Sequence, residues 1–101
     1  MERIFSIGDI HTVTSLRLAG VEGIVADREN VKKVLDEVLH RPDAGVIVIT
    51  RYLAEEIPGI ISDINLNSPK SVIIEIPGIE DPRGFGKSIL DYITEALGIA
   101  L

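Results

Sequence analysis

Two charged residues lie just beyond the ends of predicted strands, where an α/β protein would carry its chemistry. Asp9 comes after the predicted strand from Ile4 to Ile7 and Gly8. Arg51 comes after Thr50, which follows the apolar run from Val46 to Ile49. In a parallel sheet, ligands bind at the carboxyl ends of such strands. Phosphoryl transfer to a receiver domain would need an acidic pair after the first strand and a carboxylate after the third. Since Arg51 is a cation, we interpret Asp9 and Arg51 as an ion pair or as two solvated charges.

A hydroxyl cluster offers a second candidate site. Thr12, Thr14 and Ser15 follow Asp9 and could bind a flavin phosphate at a helix N-terminus. However, the segment lacks the glycine that would let the backbone approach a phosphate, and the chain has few aromatic residues for stacking on a ring. We therefore expect these hydroxyls to cap a helix.

A third candidate resembles the end of a nucleotide-binding loop. Gly86-Lys87-Ser88 precedes a predicted helix, but Asp81 stands where the motif requires its first glycine. A hinge before the helix is the favoured interpretation. The chain has no cysteine, and its histidines are His11 and His40, so it has too few of the usual zinc ligands for a typical zinc site. The sequence predicts no catalytic residue, no cofactor and no metal.

The charge of the chain and the length of its apolar runs exclude some classes of binding partner. The chain has 101 residues, with 16 acidic and 10 basic side chains and a net charge of -6. This balance argues against binding of nucleic acid or of an anionic membrane, since both need a basic face. The apolar runs are shorter than the roughly 20 residues of a transmembrane helix. Any link to a membrane is therefore expected to pass through a partner.

The elements that would position these residues alternate between strands and helices. The pattern predicts strands at residues 4–7, 23–26, 46–49 and 71–76, and helices at 12–19 (closed by Gly20) and 28–40 (capped by Asp27). Thr50 can cap the next helix, and Pro58 should break it near Ile57. A last helix follows from Phe85 to about Gly98. This alternation indicates one α/β domain with a four-stranded parallel sheet in the order 2-1-3-4, flavodoxin-like or Rossmann-like.

Within this domain, residues 1–78 form the expected parallel core. Residues 79–101 form a loop, the C-terminal helix and an apolar tail, packed on the core or extending from it. In the sheet, the first and third strands should be central. Their side chains are then expected to be largely buried: Ile4, Ile7, Val46, Val48 and Ile49.

Several segments resemble a known family when taken in order. The stretch from Gly8 to Gly20 is similar to the opening of the F subunit of the V-type and archaeal A-type rotary ATPases. Arg17-Leu18-Ala19-Gly20 matches that family, and Ser15-Leu16 stands where it typically has Gly-Phe. The segments 47–50, 54–57 and 73–77 look like its third strand, following helix and fourth strand.

The resemblance implies a component of the central stalk without an active site of its own. It implies binding to the coiled-coil D subunit of the rotor and allows contact with the A/B catalytic head, in the cytoplasm and peripheral to the membrane. Coupling of ATP turnover to ion translocation, by protons or by sodium, would follow. A stand-alone flavodoxin-like or receiver-like domain, or a small enzyme using Asp9 or Glu75 as a base, stays open on the residues alone.

The expected partner surface lies in the last helix and tail. Besides the apolar stripe that a helix needs for its own domain, this segment has further apolar positions that could fill a groove of a coiled coil. The first helix around Arg17 is the alternative surface. The candidate residues are Phe85, Ile89, Leu90, Tyr92, Ile93, Leu97, Ile99, Leu101 and Arg17.

Overall fold

A parallel β-sheet organises the described part of the chain. The computed structural model describes residues 3–77, and within them the strand order is β2-β1-β3-β4 with every neighbouring pair parallel. The predicted order and direction of the strands are confirmed. The elements are β1 (Arg3–Gly8), α1 (Ile10–Leu18), β2 (Glu22–Val25), α2 (Val31–Leu39), β3 (Ala44–Thr50), α3 (Arg51–Ala54), α4 (Pro58–Asn67) and β4 (Val72–Ile76).

Both faces of the central strands are buried. On one face, the side chains of β1 and β3 pack with those of α2, α3 and α4, including Phe5, Ile47 and Leu35. On the other face, Leu16 of α1 belongs to a smaller cluster with Val48, Ile74 and Ile76. Burial of each such side chain contributes about 1.5–3 kcal/mol. Among the side chains predicted to be buried, Ile7, Val48 and Ile49 are buried, whereas Ile4 and Val46 are half-buried.

Helix α1 begins earlier than the sequence predicted, at Ile10 instead of Thr12. The reason is Asp9, which occupies the N-cap position and accepts a hydrogen bond from the Thr12 amide. At the other end, Gly20 has a φ of 90°, and its amide donates to the Arg17 carbonyl. The Val21 amide donates to the Leu16 carbonyl, and these two side chains share a cluster. Together these bonds form a Schellman motif, which confirms the predicted end at Gly20.

Helix α2 begins later than predicted, at Val31 instead of Arg28. Asp27 does cap this region, because its Oδ1 accepts from the amides of Glu29 and Asn30 at 2.9 Å. In return, the Asp27 amide donates to Asn30 Oδ1 at 2.8 Å. These bonds fold residues 28–30 into a turn ahead of the helix, and this turn separates the capping residue Asp27 from the first residue of α2.

The break at Pro58 is confirmed. Helix α3 ends at Ala54, and α4 begins at Pro58. Proline has no amide hydrogen, but the first residue of a helix has no carbonyl partner within the helix, so no hydrogen bond is lost there. Thr50 occupies the N-cap position of α3 but makes no side-chain capping bond there and is buried instead.

Side chains close both lateral edges of the sheet. At β2, the Arg17 guanidinium donates to the Gly23 carbonyl at 3.2 Å. At β4, the Asn65 carboxamide accepts from the Ile73 amide at 2.7 Å and donates to the Ile73 carbonyl at 3.0 Å. Such bonds use backbone groups that would otherwise be free to pair with another strand.

The remaining sequence predictions lie outside the described residues. These are the loop from residue 79, the last helix and the apolar tail.

Candidate functional site

Asp9, the first candidate for chemistry at the carboxyl edge of the sheet, is held by helix α1. Its two carboxylate oxygens accept from the Thr12 amide at 3.1 Å and from the Thr12 hydroxyl at 2.6 Å. Burial raises the pKa of Asp9, but the bonds from Thr12 and from the amides of Asp9 and His11 outweigh it and lower the pKa below its ordinary value. A carboxylate with a lowered pKa is a weak general base at neutral pH. The arrangement therefore suits a helix cap better than an acid–base catalyst.

The hydroxyl cluster does not form a loop in front of a helix. Thr12, Thr14 and Ser15 all lie within α1, whose N-cap residue is Asp9, so the expectation that these hydroxyls cap the helix is wrong. Thr12 is buried against Asp9, Thr14 is exposed, and Ser15 is half-buried. The helix N-terminus is already occupied by the Asp9 side chain, because the helix begins two positions earlier than expected.

The other charged candidates at this edge lie on different elements. Arg51 is half-buried at the start of α3, and Glu75 is exposed in β4. Between Arg3 and Pro77, no group of three or more histidine or carboxylate side chains is arranged to hold a metal ion. The nucleotide-loop candidate at Gly86-Lys87-Ser88 lies outside the described residues.

A groove of about 480 Å³ lies on the flank of the described fold, between α2 and α4. Leu35, Leu39 and Ile60 contribute apolar side chains to its lining. The charged residues along it are exposed: Glu29 precedes α2, and Lys32, Lys33 and Asp36 lie on α2. Because these charges face solvent, the groove lacks the convergent polar groups of a catalytic pocket.

An apolar rim is the most distinctive feature of the carboxyl edge. We use this term for Ile10, Val25 and Tyr52, which follow or end β1, β2 and β3. Their exposed fractions are 54%, 46% and 62%. Large apolar side chains with such exposure at successive strand ends are typical of an interaction surface, since aromatic and aliphatic residues are common at the centres of interfaces.

Tyr52 is fixed in place by its neighbours. The Arg28 guanidinium lies 4.7 Å from the centre of the Tyr52 ring and forms an ion pair with Glu56. Hydrogen bonds to Tyr52 and to Glu56 raise the pKa of Arg28 above its usual value. The aromatic side chain is thus exposed to solvent and also held in a defined position.

The sequence pattern does not predict the apolar rim. It places Val25 inside a strand, and it draws attention to the charged residues Asp9 and Arg51 instead of their neighbours Ile10 and Tyr52. A usable signal is nevertheless present: Ile10 and Tyr52 are the first and second residues of α1 and α3, in the first turn of a helix, where polar side chains are usual. The predicted partner residues from Phe85 to Leu101 lie outside the described residues.

Arg17, the remaining predicted partner residue, is placed on α1. Its side chain is exposed and donates to the Gly23 carbonyl, which gives it a structural role at the edge of β2. No described contact assigns it to a partner surface.

Comparison with known proteins identifies the family. The model of the ATP synthase (F/14-kDa) subunit family matches residues 4–93. The chain belongs to this family. It is 32% identical to the F subunit of the A-type ATP synthase of Thermococcus kodakarensis, with 98% of this chain and 97% of that protein covered. It is 34% identical to the F subunit of Pyrococcus furiosus, with the same coverage, and 28% identical to that of Methanocaldococcus jannaschii, with 94% of each covered.

The resemblance read from the sequence is therefore confirmed. The chain is an F subunit of the V/A-type ATP synthase family, and the structure gives its motif Arg17-Leu18-Ala19-Gly20 a physical meaning. Gly20 supplies the positive φ that ends α1, and Arg17 reaches across to β2. Residues 3–77 include no helix long and apolar enough to cross a bilayer.

Proposed function

We propose that this F subunit is a non-catalytic component of the central stalk of a V/A-type ATP synthase. The observation that carries the proposal is the family match across residues 4–93, supported by relatives that are named as the F subunit of A-type ATP synthases and align over nearly their whole length. The commitment of Asp9 to capping α1 agrees with a role that needs no acid–base chemistry at the carboxyl edge.

The proposed partner is the coiled-coil D subunit of the rotor. Binding would fix the F subunit to the rotating stalk, on the cytoplasmic side and peripheral to the membrane, and so help to couple ATP turnover to ion translocation. The A/B catalytic head is a further proposed contact. The proposed contact residues in the C-terminal segment are Phe85, Ile89, Leu90, Tyr92, Ile93, Leu97, Ile99 and Leu101.

Co-purification tests the proposal directly. The tagged F subunit should be expressed with the A, B and D subunits from its own organism and purified at moderate salt. We expect a complex that contains the D subunit, and a binary complex when the F and D subunits are expressed without the others. Recovery of the F subunit without the D subunit under both conditions would contradict the proposal. Stable labelling of Asp9 by acetyl phosphate and magnesium would instead favour a receiver-like domain.

A truncation examines the C-terminal surface. A variant lacking Ile99 to Leu101 and carrying Leu90→Ser and Tyr92→Ser should keep the far-ultraviolet circular dichroism of the parallel core. We expect its affinity for the D subunit to fall by at least about tenfold, because interface anchors commonly contribute about 2 kcal/mol each. Unchanged affinity of the folded variant would remove this segment from the main interface.

A further inference from the structure

The apolar rim lies at a surface with three neighbouring strand ends. The register pairs Gly8 of β1 with Val25 of β2, and Ile7 of β1 with Ile49 of β3. Val25, Ile10 and Tyr52 thus follow the strand order β2-β1-β3 along one edge. Adjacent strands are about 4.8 Å apart, so the three strand ends span about 10 Å.

That spacing suits an α-helix as the docking element. Side chains on one face of a helix recur about every 5.4 Å along its axis, so two turns present anchors over about the same distance as the three strand ends. Tyr52 is positioned in advance by Arg28 and Glu56, which reduces the conformational entropy lost when a partner binds.

Charge indicates the chemistry of the partner. Exposed carboxylates stand beside the rim in the β2–α2 connection, after α3 and near the end of β4. The nearby cations are Arg28, which is paired with Glu56, and the half-buried Arg51. The surface therefore favours a helix whose apolar stripe is flanked by lysine or arginine. The carboxylates are Asp27, Glu55, Glu56 and Glu75.

We propose that the apolar rim is a docking surface for one helix of the coiled-coil partner, with basic residues beside its apolar stripe. This inference rests on the proposed function, because it takes the D subunit as the source of that helix. The chain also leaves the described fold at this edge, where β4 ends at Ile76 and Pro77 follows. The C-terminal segment proposed above as a partner contact thus departs from the same end of the molecule.

Matched apolar substitutions test the surface. Ile10→Ser and Tyr52→Ser should each raise the Kd for the purified D subunit by about 10- to 30-fold, as expected for interface anchors. Leu18→Ser and Leu66→Ser serve as controls, because these leucines are 88% and 80% exposed and lie at the C-terminal ends of α1 and α4, away from the rim. We expect the controls to bind within about twofold of the wild type. Tyr52→Phe should bind nearly as well as the wild type, since it keeps the ring.

Charge reversal provides an independent measurement. Glu55→Lys should slow association with the D subunit and weaken its dependence on ionic strength, whereas Glu37→Lys on the exposed side of α2 should change both much less. Rim variants that are folded and bind the D subunit like the wild type would overturn this inference and leave the proposed function intact. Failure of the wild type to bind the D subunit would overturn both. A wild-type homodimer that Tyr52→Ser dissolves would identify a second copy as the occupant and also overturn the inference.

Discussion

The two ends of the sheet are built from different chemistry. At the amino ends of the strands, Arg3, Glu22, Arg41 and Asp43 alternate in a ring of ion pairs, with nitrogen–oxygen distances of 3.3 to 3.8 Å. At the carboxyl ends, the exposed large apolar side chains form the apolar rim, and exposed carboxylates lie beside them. The amino end pairs its charges within the chain, whereas the carboxyl end presents apolar side chains together with carboxylates to solvent.

This difference separates a structural end from an interaction end. The guanidiniums of Arg3 and Arg41 both lie over the aromatic ring of Phe5, at 5.7 Å and 4.7 Å from its centre. The ion pairs at the amino end therefore also cover a buried aromatic side chain. Lys70 adds to this end by donating to the carbonyls of Leu39 and Arg41 at 2.8 Å. Because the charges at the amino end already form ion pairs within the chain, a partner that bound there would have to replace those pairs, which favours the carboxyl end for docking.

The largest expected effect concerns the backbone that shapes the carboxyl end. A Cβ added by Gly8→Ala would lie 2.8 Å from Thr50 Cγ2, and Thr50 is a buried, stiff side chain. We expect the free energy of unfolding to fall by as much as about 3 kcal/mol in urea denaturation. Gly59→Ala is the control, because its Cβ meets nothing within 4 Å, and it should be neutral or slightly stabilising. Equal stability of both variants would show that the carboxyl end is not closely packed.

The second effect concerns the cap of α1. Asp9→Ala removes the acceptor for the Thr12 amide and leaves the buried Thr12 hydroxyl without that partner. The expected loss in the free energy of unfolding, measured by urea denaturation, is about 2 kcal/mol. Asp9→Asn keeps a capping oxygen and should lose less.

The pH dependence of this loss has a defined sign. Folding lowers the pKa of Asp9 below its ordinary value of 3.8, so its stabilising contribution is fully present above that pH. The contribution is lost as pH falls through the lower folded pKa. The stability difference between the wild type and Asp9→Asn should therefore shrink below about pH 3.8. A difference that grows on acidification would contradict the lowered pKa.

The sheet was predictable because its signals are local and repeated. Val46 to Ile49 forms an unbroken apolar run, typical of a strand covered on both faces, and alternation with helices then restricts the order of the strands. Pro58 likewise acts on its own turn, so its position at the start of α4 could be read directly. The starts of α1 and α2 were harder to place, because several adjacent residues can cap a helix and tertiary packing selects among them.

The candidate interaction surface depends on information that the sequence pattern does not contain. Whether Val25, Ile10 and Tyr52 are buried depends on which helix covers each strand end. Arg28 and Tyr52 are far apart along the chain, and their contact arises when β2 and β3 are placed on either side of β1. Periodicity describes one element at a time and cannot predict such contacts between elements.

The smallest expected effect concerns the ion pairs at the amino ends of the strands. Arg41→Met removes cationic contacts to Glu22 at 3.6 Å and to Asp43 at 3.8 Å, but a methionine can still cover Phe5. Since these pairs are partly exposed, we expect a loss of about 1 kcal/mol or less at low salt and almost none in about 1 M NaCl, where exposed charges are screened. Lys33→Met, on the exposed side of α2, provides the comparison for removal of a cation elsewhere.

Stability measurements in concentrated salt distinguish the stabilising interactions at the two ends of the sheet. The loss caused by Asp9→Ala should persist in concentrated salt, because it reflects capping and burial. If the Arg41→Met loss also persists there, the guanidinium stabilises the amino end by covering Phe5 more than by pairing with Glu22 and Asp43. The contrast between ion pairs at one end and apolar side chains at the other would then become a contrast between two packed ends, and the apolar rim would remain the feature that distinguishes the carboxyl end.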